Sequence, residues 1–137
     1  MRIRRYAAVA ATTGVAISSS LFVGVATASA DSQPCGAGWS HPEYGSVQTC
    51  PDWSPVGEIP VLAHTGKTAD LVGSIDPAGP DWYICQVRAY PIEGPTEGIA
   101  NDWWAVTVAD NGEPGVVPQI FFKGGANYEP DGGLRHC

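Results

Sequence analysis

The side chains of this sequence best suited to binding lie in one short stretch, in which two tryptophans precede a turn, a proline and a phenylalanine. Asn111-Gly112 is a strong tight-turn signal because both residues tolerate positive φ. Exposed aromatic rings stack on flat apolar surfaces, such as proline rings and sugar faces, with little loss of side-chain entropy. The stretch therefore predicts an aromatic binding surface that includes Trp103, whereas Trp104 is expected to be mainly structural.

Patterns for catalysis and metal binding are weak. His41, His64 and His136 are isolated in the sequence, and neither G-x-S-x-G nor H-E-x-x-H occurs. Asp81 with Asp102 is a conceivable acid–base pair, but solvated surface carboxylates are far more common. We therefore expect a protein that is not an enzyme, with no catalytic residue, no metal site and no cofactor.

The first thirty residues have the pattern of an export signal. Arg2, Arg4 and Arg5 precede a run of small and apolar residues over 7–25, and Ala28-Ser29-Ala30 provides a small-x-small cleavage site. A retained membrane anchor is the alternative, but the run lacks a strongly apolar centre. We expect cleavage at this site, a secreted extracellular protein, and no membrane association once the signal is removed.

The mature chain, residues 31–137, has the length of one domain and is strongly acidic. It keeps all fourteen acidic residues but only four basic ones, so its net charge is 4 − 14 = −10. Such a surface repels phosphate backbones and anionic lipids, which makes nucleic acid a poor partner and favours cationic peptides or neutral glycans. The alternative explanation of this charge is that it only keeps a secreted protein soluble. We also expect the protein to be a monomer.

Four cysteines lie in the mature chain: Cys35, Cys50, Cys85 and Cys137. An even number in a short exported chain is typical of two disulfides, for which three pairings are possible. We favour Cys35–Cys50, which closes a local loop in a poorly supported segment, and Cys85–Cys137, which ties the last residue to a strand. The spacings lack the close pairs typical of zinc sites.

Strand-like segments begin at residue 58, and no segment of the mature chain indicates a helix. Five short strands are predicted, over 59–64, 71–75, 82–89, 103–109 and 116–122, with a long loop at 90–101. Residues 31–57 contain four prolines and four glycines, which predicts an irregular, disulfide-bonded N-terminal extension. The sequence thus predicts an all-β protein with a small antiparallel barrel and C-terminal tail over 58–137.

The region 58–122 resembles the SH3 family, and its early strands look like the secreted bacterial, SH3b-type branch. The family pattern is a tryptophan pair, a G-x-x-G turn, a small apolar run, a proline and, two residues later, an aromatic. The matching residues here are Trp103-Trp104, Gly112, Gly115, Val116-Val117, Pro118 and Phe121.

The resemblance implies an SH3-like barrel with a groove for proline-rich peptides. The residues that would line this groove are Trp103, Pro118 and Phe121. Asp70 would offer an acidic contact to a ligand arginine, and Tyr83 is a further candidate for the same groove. Ile120 stands where the family has a groove asparagine, which favours a bacterial module that binds cell-wall peptide or glycan.

Two functions follow from these patterns. The first is a secreted, non-enzymatic SH3-like binding module for a cell-wall component or a proline-rich peptide. The alternative is a small secreted inhibitor of an extracellular enzyme, in which the predicted loop 90–101, with Pro91, Glu93 and Pro95, would be the reactive element. A purely structural role in a coat or matrix is also open.

Overall fold

The structure, a computed structural model, describes residues 32–137, and the predicted export signal lies outside them. The described chain is all-β, as predicted. Its elements are β1 Gly38–His41, β2 Gly45–Thr49, β3 Ile59–Leu62, β4 Leu71–Ile75, β5 Trp82–Tyr83, β6 Cys85–Glu93, β7 Ala100–Val108, β8 Pro114–Pro118 and a 3-10 turn Gln119–Phe121. The strands form two antiparallel sheets, one in the order β1-β2-β5 and the other in the order β4-β3-β8-β7-β6.

The hairpin of β7 and β8 lies at the centre of the larger sheet. The turn predicted at Asn111-Gly112 is present, with φ of 91° at Gly112, whose N–H donates to the carbonyl of Ala109 at 2.8 Å. Trp104 on β7 is fully buried, and its indole N–H donates to the carbonyl of Tyr90 at 2.8 Å. The expected structural role of Trp104 is thereby confirmed.

The predicted long loop at 90–101 is wrong. β6 continues to Glu93 and β7 begins at Ala100, so the connection between them is only residues 94–99. Gly94 has φ of 106° and donates its N–H to the carbonyl of Ile99 at 2.8 Å, which closes the turn. Pro91 did not end the strand because β6 is an edge strand, where a missing N–H is tolerated.

The prediction that residues 31–57 are irregular is also wrong. β1 and β2 form a hairpin within this segment, and β2 pairs onward with β5 through Gln48↔Tyr83 and Thr49↔Trp82. The strand-breaking residues mark the ends of these strands instead of preventing them. Gly45, for example, has φ of 71° where the hairpin turn ends.

Both predicted disulfides, Cys35–Cys50 and Cys85–Cys137, are confirmed. The first joins the residues that flank the β1–β2 hairpin, and the second joins the start of β6 to the last residue. Closing loops of this length restricts the unfolded chain, which stabilises the fold by roughly 3–4 kcal/mol for each disulfide.

The C-terminal tail is tied to β6 by a buried polar network around Gln86, which is 1% exposed. Its Oε1 accepts hydrogen bonds from Nε2 of Gln119 at 2.8 Å and from the N–H of Asp131 at 3.1 Å. Its Nε2 donates to the carbonyls of Asp131 at 2.8 Å and Leu134 at 2.6 Å. The tail therefore satisfies polar groups that the sheet buries.

The same tail covers part of the β6 edge. The N–H of Gln86 donates to the carbonyl of Arg135 at 2.8 Å, and the N–H of Cys137 donates to the carbonyl of Gln86 at 2.9 Å. The disulfide from Cys85 holds this short parallel pairing in place. An edge strand covered in this way offers fewer free backbone groups to another chain.

The two edge strands of the larger sheet, β4 and β6, do not pair with each other in the described chain. The sheets therefore do not close, and the predicted SH3-like barrel stays a proposal. The core lies between the sheets and under the tail. Its members include Ile59, Val61, Ile75, Tyr83, Ala105, Val117, Ile120, Phe121 and Leu134.

Candidate functional site

Three residues predicted to line a ligand groove are buried. Tyr83 is 0% exposed and Phe121 is 6% exposed, and Pro118 lies at the buried end of β8. The N-terminal segment lies against the last of these residues in the sequence, where the N–H of Trp53 donates to the carbonyl of Phe121 at 2.9 Å. Because a buried side chain presents no face to a ligand, the predicted groove through Tyr83, Pro118 and Phe121 is wrong.

The other two predicted residues have some access to solvent. Trp103 is half-buried and packs edge-on against His136, with ring centroids 5.1 Å apart. Asp70 is exposed directly before β4. Ligand binding by Trp103 and Asp70 stays a prediction.

A different set of four rings forms a partly exposed surface on the smaller sheet. We call it the aromatic cluster, and its members are Trp39, His41, Tyr44 and Trp82. His41 is at its centre, with ring centroids 5.9 Å from Trp39, 5.1 Å from Tyr44 and 4.5 Å from Trp82. Tyr44 and Trp82 are also in contact, at 5.4 Å. The four rings thus make one continuous surface.

Strand geometry brings these rings together. Trp39 and His41 are two residues apart on β1 and so lie on the same face of the sheet. Tyr44 follows in the β1–β2 turn, and Trp82 enters from β5 opposite Thr49. The hydroxyl of Thr49 accepts a hydrogen bond from the indole N–H of Trp39 at 3.1 Å. The sheet and this bond fix the orientation of the Trp39 ring.

The His41 ring is oriented by its own turn. Its Nδ1 lies 3.1 Å from the N–H of Glu43, which donates to it. The neutral ring therefore carries its proton on Nε2. An oriented imidazole among aromatic rings adds a polar contact point to an otherwise apolar surface.

The cluster has the exposure of a binding surface rather than of a core. Trp39 is 41% exposed, and the other three rings are half-buried. Rings held in place by a sheet lose little entropy when a flat ligand covers them. The W-x-H spacing at residue 39 was the available sequence signal, but it lay in the segment predicted to be irregular.

The structure also brings two carboxyl groups together, and they are not the pair considered from the sequence. Asp81 is hydrogen-bonded to Asp52, whereas Asp102 forms an ion pair with Arg88, 2.7 Å between Oδ2 and Nε. Burial, and then the negative charge of Asp52, raise the pKa of Asp81 to about 8. Asp81 is therefore mostly protonated at neutral pH and donates to Asp52.

The hydroxyl of Tyr83 is the second donor to Asp52, at 2.8 Å from Oδ2. Burial raises the pKa of Asp52, while this hydrogen bond opposes the change. Burial and the nearby carboxylate raise the pKa of Tyr83 well above its ordinary value. These three groups form a hydrogen-bonded cluster that joins the smaller sheet to the segment after β2.

Within residues 32–137, no group of three or more His, Cys, Asp or Glu side chains is arranged to hold a metal ion. The same residues contain no helix of the length and apolarity that crossing a membrane requires.

Comparison of the chain with protein-family models, with curated proteins and with solved structures gave no match. The resemblance to SH3 domains therefore stands on the sequence motif alone.

Proposed function

We propose that this protein is a secreted, non-enzymatic binding module that holds cell-wall peptide or glycan against the aromatic cluster. The observation that carries this proposal is the arrangement of four neighbouring rings, 4.5–5.9 Å between centroids, with Trp39 41% exposed. Each ring stacked on a ligand contributes roughly 0.5–1.5 kcal/mol beyond the area it buries.

Secretion is supported by the two disulfides, which agree with an oxidising environment, and by the export pattern of the first thirty residues. The net charge of the mature chain favours neutral glycans or cationic peptides over polyanions such as nucleic acids and teichoic acids. Both favoured classes offer the flat C–H faces or proline rings on which indoles stack.

We also infer an SH3-like origin for the larger sheet. The hairpin from Trp103-Trp104 through the turn at Gly112 to Pro118 keeps the order of the SH3 motif. Ligand binding at the aromatic cluster would then differ from binding in the family's groove, because Pro118 and Phe121 are covered here.

A sedimentation assay with purified bacterial peptidoglycan tests the proposal. We expect wild-type protein to bind and Trp39→Ala to lower affinity by about five-fold or more, which corresponds to roughly 1 kcal/mol. Leu71→Ala, which removes an apolar side chain that is 66% exposed on β4, is the matched control and should bind as the wild type does.

Thermal unfolding of each variant checks that the fold is intact. Equal binding by wild type and Trp39→Ala would refute the role of the aromatic cluster. If Trp103→Ala abolished binding while Trp39→Ala retained it, the ligand would instead occupy the face predicted from the SH3 motif.

A further inference from the structure

We propose that a second binding site, for a sugar ring that carries a carboxylate, lies in the cleft between Tyr90 and Tyr128. This cleft shares no residue with the aromatic cluster and has a volume of about 540 Å³. That volume is within the range of small-ligand sites. The residues that line it are Lys67, Tyr90, Pro91, Ile92, Glu93 and Tyr128.

The backbone of Tyr128 is the first reason to assign a function to this cleft. Its φ is 60°, and it is the one residue other than glycine with positive φ in the described chain. A side chain in this conformation costs about 1–2 kcal/mol, which glycine would avoid. The ring is 50% exposed, so it is not required to fill the core. Contact with a ligand explains why a tyrosine stands there.

The loop that carries Tyr128 is firmly held. Nδ2 of Asn127 donates to the carbonyl of Gly98 at 2.8 Å, and Oδ1 of Asn127 accepts from the N–H of Ala100 at 3.1 Å. The buried amide of Asn101 donates to the carbonyls on both sides of the loop, those of Ala126 and Glu129. Because the loop is ordered before binding, little conformational entropy is lost when a ligand contacts the ring.

The opposite wall is held equally well. Tyr90 lies on β6 and is 48% exposed, while its carbonyl accepts the hydrogen bond from the fully buried Trp104. The cleft thus has two half-exposed phenol rings on fixed backbone. Phenol rings stack on the C–H faces of sugars, and their hydroxyls bond to sugar hydroxyls.

Lys67 determines the charge of the ligand. It forms no ion pair with another described residue, in contrast to Arg88, which is paired with Asp102. An ammonium group in a cleft repels cationic peptides and attracts a carboxylate, and Glu93 can accept hydrogen bonds from sugar hydroxyls. The acidic chain as a whole disfavours a polyanion. Within the cleft, two rings, one cation and one acceptor fit a single sugar ring that carries one carboxylate better than a prolyl peptide.

Calorimetry with galacturonate, a single sugar ring with one carboxylate, tests the proposal, using the leaderless, disulfide-bonded protein. The matched neutral probe is galactose, in which that carboxylate is replaced by an alcohol. We expect the acidic form to bind about ten-fold more tightly than the neutral form, with a preference that declines as salt is added. Equal affinity for both, or no binding of either, would overturn the proposal, as would tighter binding of a short peptide through its C-terminal carboxylate.

Tyr128→Gly separates a ligand contact from a structural role. We expect this variant to unfold at the same or a higher temperature than the wild type, because glycine adopts positive φ freely, and to bind galacturonate about ten-fold more weakly. If the glycine variant does not fold, Tyr128→Asn is used in its place, because asparagine also tolerates positive φ. Unchanged affinity in the folded variant would exclude Tyr128 as a contact.

Lys67→Gln tests the charge. We expect it to reduce the affinity for galacturonate to that for galactose, whereas Val56→Ala, at a side chain 81% exposed and outside the cleft, should change nothing. A Lys67→Gln variant that still prefers the acidic form would refute the carboxylate contact. Peptidoglycan binding lost in Trp39→Ala but retained in Tyr128→Gly would show that the two sites are separate.

Discussion

Asp81 donates a hydrogen bond to the carboxylate of Asp52, and its pKa of about 8 keeps it mostly protonated at neutral pH. The two residues belong to different parts of the fold, since Asp52 follows β2 and bridges to Phe122, and Asp81 directly precedes β5. Burial of the pair is the main reason for the raised pKa, and the adjacent negative charge adds to it. The stability of this junction therefore depends on a proton.

The stability of the folded protein should depend on pH through Asp81. The pKa of Asp81 is about 8 in the folded protein against 3.8 for an ordinary aspartate, so the folded state holds a proton that the unfolded state has released between these values. The resulting stabilisation is complete below the lower value and is lost as the pH rises through the upper one. We expect the melting temperature, measured at constant ionic strength, to fall from about pH 5 to about pH 8.5.

Asp81→Asn tests the origin of this pH dependence. The amide keeps a donor for Asp52 but cannot ionise, so the melting temperature should fall less steeply with pH. At the alkaline end of the range, the variant should have a higher melting temperature than the wild type. Asp76→Asn, at an exposed carboxyl that affects Asp81 only weakly, is the control. An identical slope in Asp81→Asn and the wild type would contradict the assignment.

Tyr83→Phe should destabilise the fold at every pH at which the Tyr83 phenol keeps its proton. It removes the buried hydroxyl that donates to Asp52 and leaves that carboxyl with one donor fewer, a loss of about 1–3 kcal/mol. Urea unfolding measures the change. Tyr44→Phe alters a half-buried phenol outside this junction and should cost much less; equal losses in both variants would rule out a special role for the Tyr83–Asp52 bond.

Removal of the Cys85–Cys137 disulfide should have two effects. Replacement of both cysteines by alanine releases a constraint with a separation of 52 residues, with an expected loss of roughly 4 kcal/mol. It also frees the tail from the β6 edge, which should promote association of chains. Light scattering during chromatography measures this association, and the double alanine variant of Cys35 and Cys50 is the comparison. Self-association of equal extent in both variants would contradict the edge-covering role of the tail.

The elements with local signals were predictable from the sequence. The strand at 71–75 is bounded by turn-forming residues, and Asn111-Gly112 has the backbone freedom that a tight turn needs, so both are found as expected. The disulfides followed from simple arguments on loop length and tail anchoring. In each case the information lay within a few residues or in the cysteine count.

The prediction of the binding groove was wrong because the burial of its residues depends on parts of the chain that are distant in sequence. Pro118 and Phe121 carry the motif of an exposed groove, but both are buried, and the segment after β2 is hydrogen-bonded to the backbone of Phe121. No residue near position 118 in the sequence indicates this. The aromatic cluster was missed for the opposite reason. Trp39 and Trp82 are 43 positions apart in the sequence and join one cluster only because β2 pairs with both β1 and β5.

The buried network around Gln86 has a consequence for biosynthesis. Asp131 Oδ1 accepts a hydrogen bond from the N–H of Cys35 at 3.0 Å, and Gln86 binds the same tail residue, so early, middle and late parts of the chain meet at one point. A nascent chain that lacks residue 131 leaves the Gln86 amide without these partners. Stable tertiary structure therefore requires residues up to 131, so we expect folding to be completed only after nearly the whole polypeptide has been synthesised.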